Sequence, residues 1–269
     1  MITGSNLEAW HTQMGETTMR WVYAVLLLIA VSGWAVGAEA EETGAAAEEM
    51  VTPADPQTSV LANAETGWAS RYVSEGVNWL DEGGLATMEG SLSAGPLTVG
   101  TWWGLGDSID YQESNLFMVY GLEFSSLRAS AGYNWLHYFE DDQNDHQLAA
   151  MFEWLQLPIV TPAVNYSYFT ETEGGFLEAM LQAEFHPVTN SLTLQPYVLA
   201  GFDFGYVSPE YDGANHVQLG LEGSYRFTPS ASMYAGVHHS MAWENLDRAD
   251  LGDETWIGLG LRIEQAINP

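Results

Sequence analysis

From Gly67 onward, apolar residues alternate with small or polar ones in runs of about nine to thirteen residues. The clearest run is Asn215 to Phe227. Val217, Leu219, Leu221, Tyr225 and Phe227 share one face, with Gly223 as its gap. His216, Gln218, Gly220, Glu222, Ser224 and Arg226 share the other. A period of two means a strand with one apolar face. Twelve such runs begin near Gly67, Leu85, Leu97, Asn115, Leu127, His146, Ile159, Phe176, Leu192, Asn215, Ser232 and Glu254. Leu85 to Ala94 alternates poorly, and Asn115 to Phe124 is apolar on both faces over its middle.

The connectors add a second rhythm. Gly95-Pro96, Ser125-Ser126, Leu155 to Pro158, Pro187 to Ser191 and Thr228 to Ala231 are short. Leu105 to Ser114, Glu140 to Asp145, Ser208 to Ala214 and Glu244 to Asp253 are longer and acidic. Alternating lengths predict an up-and-down antiparallel transmembrane β-barrel of about twelve strands, with long acidic extracellular loops and short periplasmic turns. A soluble barrel or sandwich shows the same alternation with its apolar face turned inward. Strands of about ten residues, long enough to cross a tilted bilayer path, favour the membrane form. So do aromatics near predicted strand ends: Trp102, Trp103, Trp135, Tyr138, Phe139, Trp154, Tyr166, Tyr168, Phe169 and Trp243.

The chain ahead of the runs reads as export machinery. Met19-Arg20 precedes an apolar stretch, Trp21 to Ala38, that ends in Ala38-Glu39-Ala40. This describes a signal peptide cleaved after Ala40, with residues 1–18 as an upstream extension and Met19 as an alternative start. Residues 41–66, rich in Ala, Glu, Thr and Pro, predict a disordered acidic periplasmic spacer. The barrel is expected over 67–265, with a short tail over 266–269. Localisation in a bacterial outer membrane follows, with membrane lipid and lipopolysaccharide as surroundings.

Composition removes several functions. The net charge is −30 with six Lys plus Arg, which argues against nucleic-acid binding. There is no cysteine, hence no disulfide, thiolate site or cysteine nucleophile. No phosphate loop or zinc-protease motif occurs, and the His residues are scattered, so no metal site or cofactor is expected. The acidic triplets Asp141, Asp142, Asp145 and Asp247, Asp250, Asp253 lack calcium-loop spacing. One catalytic pattern is present: His238 and Ser240 share a strand face, as in a lipid hydrolase whose imidazole activates a hydroxyl. Met241 follows Ser240 where such hydrolases carry Asn. The reading is therefore non-enzymatic, with a lipid hydrolase as an alternative.

Charge phase marks the candidate lumen. Arg71, Arg128, Arg226 and Arg262 fall in predicted strands. Glu123, Glu153, Glu178, Glu184, Asp203 and Glu222 fall on polar faces. An outward Arg at mid-bilayer costs about 2–4 kcal/mol, so these ten residues are expected to line an interior. Gly100, Gly121, Gly132, Gly201, Gly220, Gly236, Gly258 and Gly260 share that side. They would either leave room for water or ease curvature. The expected function is a porin-like channel for passive diffusion of small neutral solutes or cations. A closed barrel with a structural or adhesive role is the alternative.

Ser70-Arg71-Tyr72-Val73-Ser74-Glu75-Gly76-Val77, followed by Leu85 to Leu92 and Val99-Gly100-Thr101-Trp102, resembles the TorF-type outer-membrane porins. The resemblance covers mainly residues 68–104. Glu75 stands where that family usually carries Arg. The resemblance implies a porin barrel whose first strand includes Ser70 to Val77, with no catalytic residue to carry over.

Overall fold

The computed structural model describes residues 59–267 apart from 81, 158 and 188–190. The signal peptide and most of the spacer expected from the sequence lie outside the described residues. Twelve antiparallel strands close into one barrel. In chain order they are β1 (Val60–Ala69), β4 (Leu85–Ala94), β5 (Leu97–Gly106), β6 (Gln112–Glu123), β7 (Leu127–Tyr138), β8 (Gln143–Trp154), β9 (Val160–Phe169), β10 (Gly174–Ala183), β11 (Leu192–Phe204), β12 (Asp212–Thr228), β13 (Ala231–Ala242) and β14 (Glu254–Ile267). Each strand pairs with the next, and β1 closes on β14 from Val60 with Ile267 to Ala69 with Gly258. A two-stranded hairpin, β2 (Val73–Ser74) and β3 (Val77–Asn78), stands apart from the barrel sheet. A short helix, α1 (Glu244–Arg248), precedes β14.

Exposure settles which face is which. Leu116, Met118, Leu148, Phe152, Leu219, Leu221, Leu259, Leu261 and Ile263 are exposed on the barrel's outer surface. Their strand neighbours in the opposite phase, such as Asn115, Gln147, Gln218 and Gly260, turn inward. A soluble barrel would bury the apolar set; this one wears it outside, as lipid requires. Closure also leaves no strand edge with unpaired backbone groups, the condition for crossing hydrocarbon with strands. A strand of ten residues, the shortest in the barrel, rises about 33 Å along its own axis. Tilted by about 45°, it covers the apolar band of an outer-membrane barrel.

Several boundaries differ from the sequence reading. β1 begins at Val60, so residues 60–66 belong to the barrel and not to a spacer. Its outward positions include Ala62, Ala64 and Thr66, too small to produce a strong apolar signal. β14 runs two residues past 265. Ser70 to Val77 is not part of the first strand: it leaves β1 and folds into the β2–β3 hairpin. The loop-length contrast is narrower than expected. At one end the connectors are 70–84, 107–111, 139–142, 170–173, 205–211 and 243–253; at the other they are 95–96, 124–126, 155–159, 184–191 and 229–230. β6, β8 and β12 begin early and draw Glu113, Asp145 and Asp212 out of the expected loops.

The aromatics divide between two environments. Trp103, Phe139, Trp154, Tyr166, Tyr168 and Trp243 are exposed on the outside, where headgroup depth suits an amphipathic ring. Trp102, Tyr138 and Phe169, grouped with them by sequence, are instead buried inside the barrel. They join Tyr72, Leu80, Leu85, Leu136, Phe176 and Tyr206 in an apolar core at the long-connector end.

Candidate functional site

The lumen is built in three levels. At the short-turn end, two Arg cross a carboxylate-rich wall. Arg262 on β14 donates to Glu65 on β1 at 2.8 Å, and its guanidinium lies 5.5 Å from the Tyr234 ring centre. Glu89 on β4, opposite Glu65, and Glu222 on β12 extend this group. Arg128 on β7 bridges Glu123 on β6 at 2.9 Å and Glu153 on β8 at 3.2 Å. Both bridges span neighbouring strands on the inward face, where each charge meets an opposite one away from lipid.

The middle level is polar and uncharged except for carboxylates. Gln218 donates to the Tyr197 hydroxyl at 2.6 Å, and that hydroxyl is 2.7 Å from Nδ1 of His238. The Tyr197 hydroxyl thus ties Gln218 of β12 to His238 of β13. His238 also stacks on Trp256, with ring centres 5.1 Å apart. Ser240, the expected partner of His238 in a hydrolase, is buried, and its Oγ makes no hydrogen bond. The two side chains share a face but do not form a hydroxyl–imidazole couple.

Inward glycines serve these rings. A Cβ at Gly220 would collide with the Tyr197 ring, one at Gly236 with His238, one at Gly260 with Tyr234, and one at Gly100 with Phe117. The rings lie flat on the wall where the glycines leave no side chain. Only Gly121 and, nearly so, Gly258 face open space among the eight inward glycines. Of the two readings of these glycines, room for water or ease of curvature, the first is reduced where aromatic rings occupy the space.

The third level closes the long-connector end. The β2–β3 hairpin turns through Glu75 and Gly76, both at positive φ (48° and 81°), the pairing of a type I′ turn. It points into the barrel, and Glu75 at its tip is 2% exposed. Its anchors lie on β12. The strand carries a bulge after Gly201 pairs with His216 and Phe202 pairs with Ala214, so Asn215 is the extra residue. The bulge lets consecutive residues both reach inward. Asn215 Nδ2 donates to the Glu75 carbonyl, and the His216 ring covers Gly76. Tyr72 donates to Glu113 at 3.2 Å, and Tyr111 donates to the same oxygen at 2.5 Å.

The 205–211 connector is folded over the same mouth. Tyr206 stacks on Phe169 with ring centres 3.7 Å apart. Asp203 holds the connector: its carboxylate accepts from the backbone N–H of Tyr206, Val207 and Ser208 at 2.8, 3.0 and 2.8 Å, and from Asn245 of α1 at 2.9 Å.

Of the ten residues proposed from sequence as pore-lining, Glu123, Arg128, Glu153, Glu178, Glu222, Arg226 and Arg262 lie on inward phases of their strands. Glu184 lies just beyond β10 and accepts from Gln195 at 3.0 Å. Two differ. Arg71 is in the 70–84 connector and pairs with Glu254 at the rim. Asp203 is on the inward phase of β11 but fully buried, where it anchors the 205–211 connector. Sequence reading missed Glu65, Glu89 and Glu113 as inward residues, and placed Asp145 in a loop although it lies in β8. Asp145 accepts from the backbone of Glu171 at 3.1 Å and from the Thr172 hydroxyl at 3.2 Å, so it is not a loop ligand. Among the described residues no group of three or more His, Asp or Glu could hold a metal ion.

No family model matches the chain, and no curated protein matches it in sequence. The resemblance carried by residues 68–104 thus finds no support at the level of the TorF-type family. Solved structures do match. The KdgM porin aligns with a TM-score of 0.52 at 10% identity, over 76% of this chain and 98% of that one. The NanC porin aligns with a TM-score of 0.51 at 10% identity, over 75% and 98%. The KdgM porin also appears in complex with disordered oligogalacturonate, at the same TM-score of 0.52 and 10% identity. At such identity the likeness speaks for the backbone alone: this chain folds as the closed, twelve-stranded antiparallel barrel of the outer-membrane porins.

Proposed function

We propose that the chain is an outer-membrane channel for passive diffusion of small neutral or cationic solutes, with its longer connectors outside the cell. The observation that carries this reading is the inward face of a lipid-fitted barrel. Glu65, Glu89, Glu113, Glu123, Glu153, Glu178 and Glu222 face Arg128, Arg226 and Arg262 there, an excess of acid. Rings of carboxylates raise cation occupancy in a pore and repel anions. A carboxylate-bearing chain such as the oligogalacturonate held by the KdgM porin would meet repulsion in this lumen.

The second reading, a closed structural barrel, draws on the filled mouth at the long-connector end. The two separate in planar bilayers. Under a salt gradient, the reversal potential of the channel reading has the sign of cation preference. Anion preference would sink the selectivity argument, and absence of conductance once the mouth is cleared would sink the channel.

A further inference from the structure

We propose that the β2–β3 hairpin is a proton-coupled gate: it plugs the lumen when Glu75 is protonated and withdraws when Glu75 ionises. This rests on the channel reading above.

The hairpin is built to seat and unseat as a unit. Much of its own bonding is internal. Trp79 N donates to the Tyr72 carbonyl at 2.9 Å, Tyr72 N to Asn78 Oδ1 at 3.2 Å, and Trp79 Nε1 to the Ser74 carbonyl at 3.2 Å. It is outside the barrel sheet, so removing it breaks no strand ladder. It is tied to the wall where Asn215 donates to the Glu75 carbonyl and Tyr72 donates to Glu113. Tyr72 and Leu80, at its base, are buried in the apolar core of that end.

Against that, the tip carries a carboxyl into an acidic chamber. The groups facing it come from every packed element: Glu178 on β10, Asp203 on β11, Glu113 on β6, His216 on β12, Tyr206 in the 205–211 connector, and Tyr72 on its own segment. Among the described residues, Arg71, Arg128 and Arg262 form their ion pairs with other carboxylates, Glu254, Glu123, Glu153 and Glu65. One oxygen of Glu113 and one of Glu178 are buried without a hydrogen bond. Ser74 donates to Glu75, but one hydroxyl does not balance a charge buried among three other carboxyl groups. Burial first, then Glu178, holds the Glu75 carboxyl well above its ordinary range while the hairpin is seated.

The sign follows by linkage. The seated state binds the Glu75 proton more tightly than the released state. The contribution of this proton to seating is fully present below the free carboxyl's pKa. As pH rises above that value, seating weakens by up to tenfold per unit until the seated pKa is passed. The gate is closed in acid and opens toward neutrality.

Conductance of the full chain in planar bilayers tests this at about pH 4.5 and about pH 7.5. Four proteins are compared: wild type, Glu75→Gln, a variant with residues 72–79 replaced by a Gly/Ser link, and a Gly76→Cys/His216→Cys pair. The chain has no native cysteine, and a Cβ at Gly76 would lie 2.8 Å from that of His216. A shift of about 1 Å reaches disulfide geometry. Wild type is expected to conduct at least tenfold more at the higher pH. Glu75→Gln, which cannot ionise, stays low at both. The linked variant conducts at both, and the oxidised pair is shut until reduced. A wild type indifferent to pH, or a Glu75→Gln variant that tracks wild type, overturns the gate while a conducting linked variant leaves the channel standing. A linked variant silent at both values overturns the channel reading and the gate with it.

Discussion

Replacing Gly220 by alanine puts a methyl group where the Tyr197 ring lies. The added Cβ would be far closer than the 3.0 Å below which such contacts are essentially never seen. The ring cannot simply swing away, because its hydroxyl is tied to Gln218 at 2.6 Å and to His238 at 2.7 Å. Overpacking a fixed group costs about 1–3 kcal/mol, and a strained or broken hydrogen bond adds about 1 kcal/mol. A loss of about 3 kcal/mol is expected for Gly220→Ala. Gly121→Ala is the control. It also faces inward but has nothing within 4 Å, so its effect should stay within about 0.5 kcal/mol. Urea unfolding in lipid, read by the heat-modifiable gel shift, gives both numbers. Tyr197→Leu in the Gly220→Ala background should recover part of the loss, since the colliding ring is gone. Equal effects at 220 and 121 would refute the view that inward glycines are seats for rings.

Three further outcomes follow from the same geometry. Asp203→Ala strips the acceptor from three backbone N–H groups, each costing about 1–3 kcal/mol if buried unpaired; faster proteolysis within 205–211, with the barrel intact, is the expected readout. Arg262→Gln leaves Glu65, Glu89 and Glu222 without their guanidinium, so the reversal potential should move toward stronger cation preference; a shift toward anions would contradict the acidic-lumen argument. Hydrogen bonds from Ser108, then Gly84 N–H, then Trp68 Nε1 hold the Asp107 carboxyl below its usual range. Its tie to Gly84 and Trp68 is therefore complete above the ordinary carboxylate pKa and lost as pH falls through the lowered one, which the Trp68 indole N–H resonance would report.

Much of the barrel is legible from residues alone, because lipid enforces a strict outward code. Leu219, Leu221, Leu259 and Leu261 alternate with residues that water or other side chains must cover. The code weakens where small residues face out, which hid Ala62 and Ala64 in β1. It fails where the chain leaves the sheet. Val73 to Asn78 has strand-like residues and does form strands, yet pairs only with itself. The bulge at Asn215 was invisible, since one extra residue leaves the surrounding alternation readable in both directions. The inward aromatics had a usable signal: Trp102 lies in phase with Gly100 and Gly104, the small face of β5. Ion pairs could not be foreseen, because partners such as Arg262 and Glu65 meet only once the barrel closes.

That closure has a kinetic meaning. β1 and β14 meet across nearly the whole described chain; the Arg262–Glu65 contact joins residues 197 apart. Every other barrel pairing joins neighbours in sequence, so eleven hairpin-like steps are local and one is not. Folding speed falls as contacts become more distant, and the closing step carries the largest loop entropy. Until it occurs, β1 and β14 each present an open edge able to pair with another chain. The seam is thus the last bond to form and the point at which the unfinished protein is most exposed to aggregation. Weakening it, as Arg262→Gln does, should slow assembly more than a change of equal cost elsewhere in the wall.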